Sequence, residues 1–330
     1  MTTLSFRASN REDAACIAEL CGRVLAVPAS SPVFSLEHMQ WKYWDPWPSW
    51  PAGSRSYLLF RNGVPIAHAG IVPLRFNCAD KDYRLVQLID WAAEPTHVGT
   101  GVILLKLIAE LADGALSVRG SSMAQRILAA IGFRSLGHSV QYAAVLDAKQ
   151  HELRSELARA ATLRIHDRRS FAPREHPLRH AQSCARRVVL QRSAAEIERW
   201  LACPTASVQQ VEMFVHDRLI GSVVLCHCPG QVRIADAWAD TQLAEAWHAV
   251  INLACLHATT NTAASEIVDQ TNDPARAHAL ETNGFANVGS DPLFILTDPE
   301  LVADGAFLNH QLIDSDLAYL HHGEPLPWLK

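Results

Sequence analysis

Two stretches about 150 residues apart end on the same dipeptide. MAQRILAAIGF closes on Gly132-Phe133, and PARAHALETNGF closes on Gly284-Phe285. The same order of patterns precedes each pair. In the first half, NREDAACIAELCGRVLA (10–26) spaces its apolar residues for a helix and opens on an Asn with an acidic first turn. SYLLFRNGVPIAHAGIVPLRF then places two apolar strands about Asn62-Gly63, a hairpin signal. RLVQLIDWAAEP (84–95) is a strand, 98–112 a long helix, ALSVRGSS a strand, MAQRILAAI a helix and GFRSLGHSVQYAAVL one or two closing strands. In the second half, RSAAEIERWLA (192–202), a hairpin about Asp217-Arg218, QVRIADAWAD, TQLAEAWHAVINLACLHA, ASEIVDQTN, PARAHALETN and GFANVGSDPLFIL follow in the same order. A period this long is no solenoid repeat and reads as a duplicated domain.

This duplication predicts an N-terminal domain over 1–148, a helical, polar linker over 149–187, a C-terminal domain over 188–300 and a tail over 301–330. The basic, proline-marked stretch RIHDRRSFAPREHPLRH (164–180) falls in the linker and is expected to be solvated. The chain has 330 residues, 49% hydrophobic and 19% charged, with net charge −5. That mixture can bury a large core, and it recommends neither nucleic acid nor an anionic membrane as a partner. No basic-then-apolar leader opens the sequence, and the apolar run near Val102–Leu111 is broken by Lys106 and Glu110, so a cytoplasmic protein is expected. None of the eight cysteines forms a CxxC pair. Cys226 and Cys228 flank His227 without a second ligand pair nearby, so reduced thiols and no metal are expected.

PTHVGTGVILLKL (95–107) sets two glycines where a strand becomes a helix. The first turn of a helix offers unpaired N–H groups and partial positive charge, which suit a diphosphate, and glycine removes the side chain that would keep it away. The same glycines would also serve a tight strand-to-helix turn with no ligand at all.

With that turn in place, the element order and the two Gly-Phe closures, the chain resembles the GNAT (Gcn5-related N-acetyltransferase) superfamily in a tandem form. The resemblance covers most of 5–146 and, more faintly, 188–297. It implies an α/β (α+β) fold of two GNAT-like domains, each a mixed, mostly antiparallel sheet flanked by helices. The family's Q/R-x-x-G-x-G/A signature falls on Val98-Gly99-Thr100-Gly101-Val102-Ile103, with Val98 where Arg or Gln is usual and Ile103 where Gly or Ala is usual. Leu128 stands where the family often has a tyrosine acid.

The resemblance implies acetyl-CoA, or another acyl-CoA, as co-substrate. Its diphosphate would sit on the amides of Gly99, Thr100, Gly101, Val102 and Ile103, and its carbonyl would be polarised by the backbone of Ala92 and Ala93. Asp90, in the apolar run QLIDWAAEP, is expected to be partly buried and raised in pKa, as a base requires, or else to be a structural aspartate. Glu94 is a second carboxylate at the strand end, and His97 a turn residue within reach of a proton. Trp41 and Tyr43 of QWKYWDPWPSW are candidate walls for an acceptor pocket, or staples for a loop. The second half has ADAWADTQLAEAWH at the corresponding turn, without a glycine, and Asp240 there is expected to cap the helix and displace an anion. The resulting expectation is an N-acyltransferase with one working site, acting on a small amine by direct attack in a ternary complex. The alternatives are a non-catalytic binding protein and an acyltransferase fed by an acyl-carrier protein. A homodimer is left open.

Overall fold

The computed structural model describes residues 3–28, 30–51, 53–78, 81–147, 152–153, 155–170, 186–261 and 264–321. Most of the basic stretch 164–180 lies outside them. The chain forms two compact units.

The first unit comprises 1–137, 180–191 and 292–308. It opens with β1 (Leu4–Ala8), α1 (Ala14–Leu25), the short α2 (Leu36–Met39), β2 (Ser56–Arg61), β3 (Val64–Cys78) and β4 (Lys81–Ala93). Asn62 and Gly63 turn the β2–β3 hairpin with φ of 50° and 81°, the left-handed pair that a two-residue hairpin needs. α3 (Thr100–Ala109) crosses from β4 to the parallel β5 (Gly114–Val118), and α4 (Ser122–Ala130), capped by Ser121, leads to β6 (Arg134–Val145). The sheet order in this unit is β1-β2-β3-β4-β5, continued by Leu293–Thr297 running antiparallel to β5. α1 buries Ile17, Leu20 and Cys21 against Met39, Tyr43, Leu58 and Ala92.

In the second unit, α5 (Glu156–Ala160) and β7 (Thr162–His166) come before β8 (Arg187–Val188), a strand of the first unit. Thr162–His166, expected inside a polar connector, pairs instead antiparallel with β9. The alternation in TLRIH is enough for an edge strand. After α6 (Ala194–Leu201) come β9 (Ser207–Val215), β10 (Arg218–Cys228), β11 (Gln231–Ala239), α7 (Ala246–Asn261), β12 (Glu266–Thr271), α8 (Pro274–Thr282) and β13 (Ala286–Thr297), and then β14 (Phe307–Leu308), which pairs with β8 in the first unit. The β9–β10 turn falls on His216 and Asp217, both at positive φ, one residue before the expected place. Here the sheet order is β6-β12-β11-β10-β9-β7. The closing strands are therefore exchanged along the chain. Val140–Val145, which follow the first half's last helix, pair with β12 of the second unit, and Leu293–Thr297, which follow the second half's last helix, complete the first. Residues 309–321, expected as a tail, pack into the second unit and bury Leu312, Ile313, Leu317 and Tyr319.

The Trp-rich segment of the first unit is built around one buried cation. Gln40–Trp44 wind as a π turn. Arg55, fully buried, donates to carbonyls of this turn and its end. Its Nε and Nη2 donate to Lys42 O (3.1 and 2.9 Å), Nη2 to Trp41 O (2.8 Å) and Nη1 to Asp45 O (2.6 Å). The guanidinium also lies 4.9 Å from the Trp47 ring centroid. No helix among the described residues is long and apolar enough to cross a membrane.

Replacing Arg55 by Leu should destabilise the first unit by about 3 kcal/mol or more, because three buried carbonyls lose their donors at roughly 1–3 kcal/mol each. Chemical denaturation, with tryptophan fluorescence following the segment, measures it.

Candidate functional site

β4 is paired on both sides only over its first half. Its parallel ladder with β5 ends at Gln87–Leu116, while the strand itself continues to Ala93. Beyond Gln87 the side that faced β5 has no strand partner, a gap in the ladder. The β3 side stays paired, with a register shift between His68 and Gly70 opposite Ala92 and Ile89. That bulge holds Asp90 at φ 49°, a left-handed conformation that costs a non-glycine residue about 1–2 kcal/mol.

Two sets of contacts hold Asp90 there. Lys42 Nζ and the Tyr43 hydroxyl, both delivered by the π turn, reach its Oδ2 at 2.5 and 2.6 Å. His68 Nδ1 lies 3.2 Å from its carbonyl oxygen. Gly70 makes room, since a Cβ there would stand 2.9 Å from the Tyr43 ring. Burial pushes the Asp90 carboxyl up, but the Lys42 ammonium and the hydrogen bonds from Lys42 and Tyr43 outweigh it, and the net shift is below the ordinary carboxylate value. The expected raised pKa is thus corrected. The apolar run supplies burial, but the sequence does not reveal the cation that distant folding brings to it. Burial and the charge of Asp90 drive the Tyr43 phenol well above its usual value, so it remains a donor.

The other expected site residues divide between this gap and the packing around it. Glu94 is engaged by Arg23 of α1, whose Nε lies 3.1 Å from its Oε1 and whose Nη2 also bonds it. It ties α1 to the end of β4 instead of standing free as a base. His97 Nδ1 meets Arg61 Nη1 at 3.0 Å. Trp41 is buried, 5.4 Å from the His38 ring, and Tyr43 is buried with its hydroxyl on Asp90. Both belong to the packing of the loop, with no open aromatic wall. Glu94 N–H donates back to Ile66 O on β3 at 2.9 Å. Strand alternation then turns the Ala92 amide toward β3 as well, and the amides of Trp91 and Ala93 toward the gap. Sequence reasoning named Ala92 and missed Trp91, because only the bulge and its partners set the phase.

At the start of α3 the two glycines have separate reasons. Gly99 has φ 85° and open space around its Cβ position, so it supplies a left-handed cap. Gly101 packs on β4. A Cβ there would lie 3.0 Å from Trp91 Nε1 and 3.1 Å from Ala93 Cβ. Among the described residues the amides of Thr100 and Ile103 bond His97 O and Gly99 O (3.2 and 3.1 Å), while those of Gly101 and Val102 have no backbone partner. Trp91 Nε1 is buried without a partner. Val98 is 93% and Ile103 40% exposed. First-turn amides without backbone partners and a glycine cap with open space at its Cβ position are a fit for the phosphates of a nucleotide-bearing thioester.

The second unit repeats this turn backbone bond for backbone bond. Asp240 N–Ile220 O, Leu243 N–Asp240 O, Ala246 N–Leu243 O and Ala249 N–Glu245 O match Glu94–Ile66, His97–Glu94, Thr100–His97 and Ile103–Gly99. Glu245, at φ 65°, takes the place of Gly99, and Trp247 that of Gly101. Asp240 bonds Gln242 N–H and Arg218, and does not cap α7 as expected. The gap beyond the last β11–β12 pair, Ile234–Asp269, is occupied. Gln311 accepts from Ala237 N–H with its Oε1 (2.7 Å) and donates from Nε2 to Ala237 O (3.3 Å). Ala237 corresponds to Trp91. Arg276, bidentate on Asp269, also bonds Gln311, and Arg192 pairs with Asp314. Burial carries the Asp314 carboxyl up to about 7 despite that partner.

Searches of the sequence match no family model and no curated protein. Solved structures do match. A GCN5-related N-acetyltransferase from Anabaena variabilis aligns with TM-score 0.60 at 10% identity over 89% of this chain and 72% of its own. A protein of unknown function from Enterococcus faecalis, described as a probable N-acyltransferase, aligns with TM-score 0.59 at 11% identity, over 91% of this chain and 74% of its own. A tandem GNAT protein from the clavulanic acid biosynthesis pathway aligns with TM-score 0.53 at 12% identity, over 89% of this chain and 98% of its own. The chain has the tandem GNAT fold.

Burial pulls the His68 imidazole down to about 4. The unfolded chain takes up this proton near pH 6.5 and the folded chain only near 4. Stability contributed by neutral His68 is therefore present above 6.5 and lost as pH falls toward 4, at about 1.4 kcal/mol per pH unit. His68→Asn should flatten that part of the stability–pH curve, as read by denaturant midpoints between pH 7 and 4.5.

Proposed function

We propose that the protein is an acyl-CoA-dependent N-acyltransferase, an acetyltransferase, with one working site in the first unit. The observation that carries this reading is a contrast between two copies of one turn. In the first, glycines stand at 99 and 101, and Trp91 and Ala93 lie beyond the last β4–β5 pair. In the second, Trp247 and Glu245 replace the glycines and Gln311 fills the gap.

Acyl transfer to an amine asks the protein mainly for position and for stabilisation of charge growing on the carbonyl oxygen. The amides around Gly99–Ile103 hold the phosphates. The Trp91 N–H, facing the gap, meets the developing oxyanion. The acceptor amine attacks the carbonyl carbon directly, the C–S bond breaks, and the sulfur leaves as thiolate, to be protonated by the proton the amine gives up. Asp90, ionised and committed to Lys42 and Tyr43, maintains the bulge and is a poor base. The acceptor therefore arrives as free amine or gives its proton to water. The second unit has lost the coenzyme and serves as scaffold. A small amine as acceptor and a soluble, cytoplasmic setting complete the reading.

Calorimetry with acetyl-CoA should show one site per chain. Val102→Pro removes one unbonded first-turn N–H at a position that tolerates proline, and should weaken binding by about 10- to 100-fold, the worth of one hydrogen bond to a charged group. No heat with the wild-type chain refutes the reading. Heat without thiol release across a panel of amines favours a binding protein instead, an outcome for which the commitment of Asp90 already provides a reason.

A further inference from the structure

Behind the bulge lies a chain of buried polar groups that the reaction just described does not use. Trp44 Nε1 lies 3.0 Å from Ser9 Oγ, Ser9 Oγ 2.7 Å from Ser56 Oγ, and Ser56 Oγ 2.9 Å from His68 Nε2. His68 Nδ1 ends the chain, 3.2 Å from Asp90 O. Ser9, Ser56 and His68 are buried.

The carbonyl end fixes the direction. A carbonyl can only accept, so Nδ1 bears the hydrogen that reaches Asp90 O and Nε2 is the bare nitrogen. Ser56 then donates to Nε2, Ser9 donates to Ser56, and Ser9 accepts from the Trp44 N–H, which can only donate. Cys21 Sγ, 3.4 Å from Nδ1, does not reverse this. A thiol donating to a bare Nδ1 would leave two lone pairs facing each other across 3.2 Å. The imidazole, pulled down to about 4, is neutral at ordinary pH, so one tautomer persists.

Among the described residues no peptide bond is cis. In a trans peptide the C=O of Asp90 and the N–H of Trp91 point in opposite directions. Whatever holds the carbonyl toward His68 aims the amide away from it, on the side of β4 that has lost its β5 partner. The second unit gives an independent view of that amide, because Ala237 N–H, its counterpart, already receives a carbonyl oxygen, Gln311 Oε1, at 2.7 Å.

We propose that His68 is a positioning residue: as the Nδ1–H tautomer, its bare Nε2 accepting from Ser56, it holds the Asp90 carbonyl and thereby aims the Trp91 amide at the acyl oxygen. The proposal rests on the acyltransferase reading of the first unit. Two substitutions separate the two nitrogens. His68→Asn keeps a donor at the Nδ1 position and loses the partner of Ser56. His68→Gln keeps the contact to Ser56 and loses the donor to Asp90.

The experiment combines nitrogen-15 NMR of the His68 ring, calorimetry with acetyl-CoA and thiol release from acetyl-CoA over an amine panel, on the full chain. The expected result is an Nδ1–H ring, with kcat in His68→Gln reduced by on the order of 100-fold, the scale of one lost oxyanion donor. Acetyl-CoA affinity should stay within about twofold, and His68→Asn should retain most of kcat, since the phosphate contacts lie elsewhere. An Nε2–H ring, or equal losses in the two variants, overturns the proposal and leaves the acyltransferase reading standing. A wild-type chain that neither binds nor consumes acetyl-CoA overturns that reading, and the proposal with it.

Discussion

The peptide between Asp90 and Trp91 is the constraint on which the first unit turns. A left-handed aspartate in the middle of a strand is unfavourable by itself, and it persists because its carboxylate and its carbonyl are each held from a different part of the chain. Lys42 and Tyr43 come from a π turn, the turn is made possible by Arg55, and His68 comes from the neighbouring strand. Each would be a poor neighbour alone. A buried lysine needs an anion, a buried aspartate needs a cation, and a buried imidazole needs both nitrogens satisfied. Together they close, and the strain they hold is stored where a gap opens beside the strand.

Duplication lets the two units be read against each other. The backbone of the strand-to-helix turn is conserved between them to the hydrogen bond, so it belongs to the fold. The side chains on it are not. Glycines in one copy stand where a glutamate and a tryptophan stand in the other, and the second gap takes a carboxamide from the chain's own C-terminal residues. The buried ions there, Arg276 with Asp269 and Arg192 with Asp314, belong to keeping those residues in place.

Much of the fold was legible because it follows from short-range periodicity. The hairpin at Asn62-Gly63, the helix after Gly99 and the repeated order ending in Gly-Phe are all local patterns, and all appear where the patterns lie. The site was legible only in part. Gly99 and Gly101 could be picked out, but not that one serves a backbone angle and the other the face of Trp91. Asp90 could be singled out, but with the wrong sign of pKa shift, since its cation sits 48 residues away on a turn no periodicity announces. Glu94 looked free because Arg23, its partner, lies on α1, 71 residues away.

The sequence by itself determined the tandem arrangement of helices and strands, and the presence of a glycine turn in only one half, because those depend on residues within a few positions of one another. Tertiary structure decided which amides face the gap, which carboxylates are already taken, and that one gap is filled by residues 70 or more positions away. These outcomes depend on which groups meet once the sheets have formed. A buried charge or a half-paired peptide is resolved by whatever distant partner the fold delivers, and no local pattern records that partner.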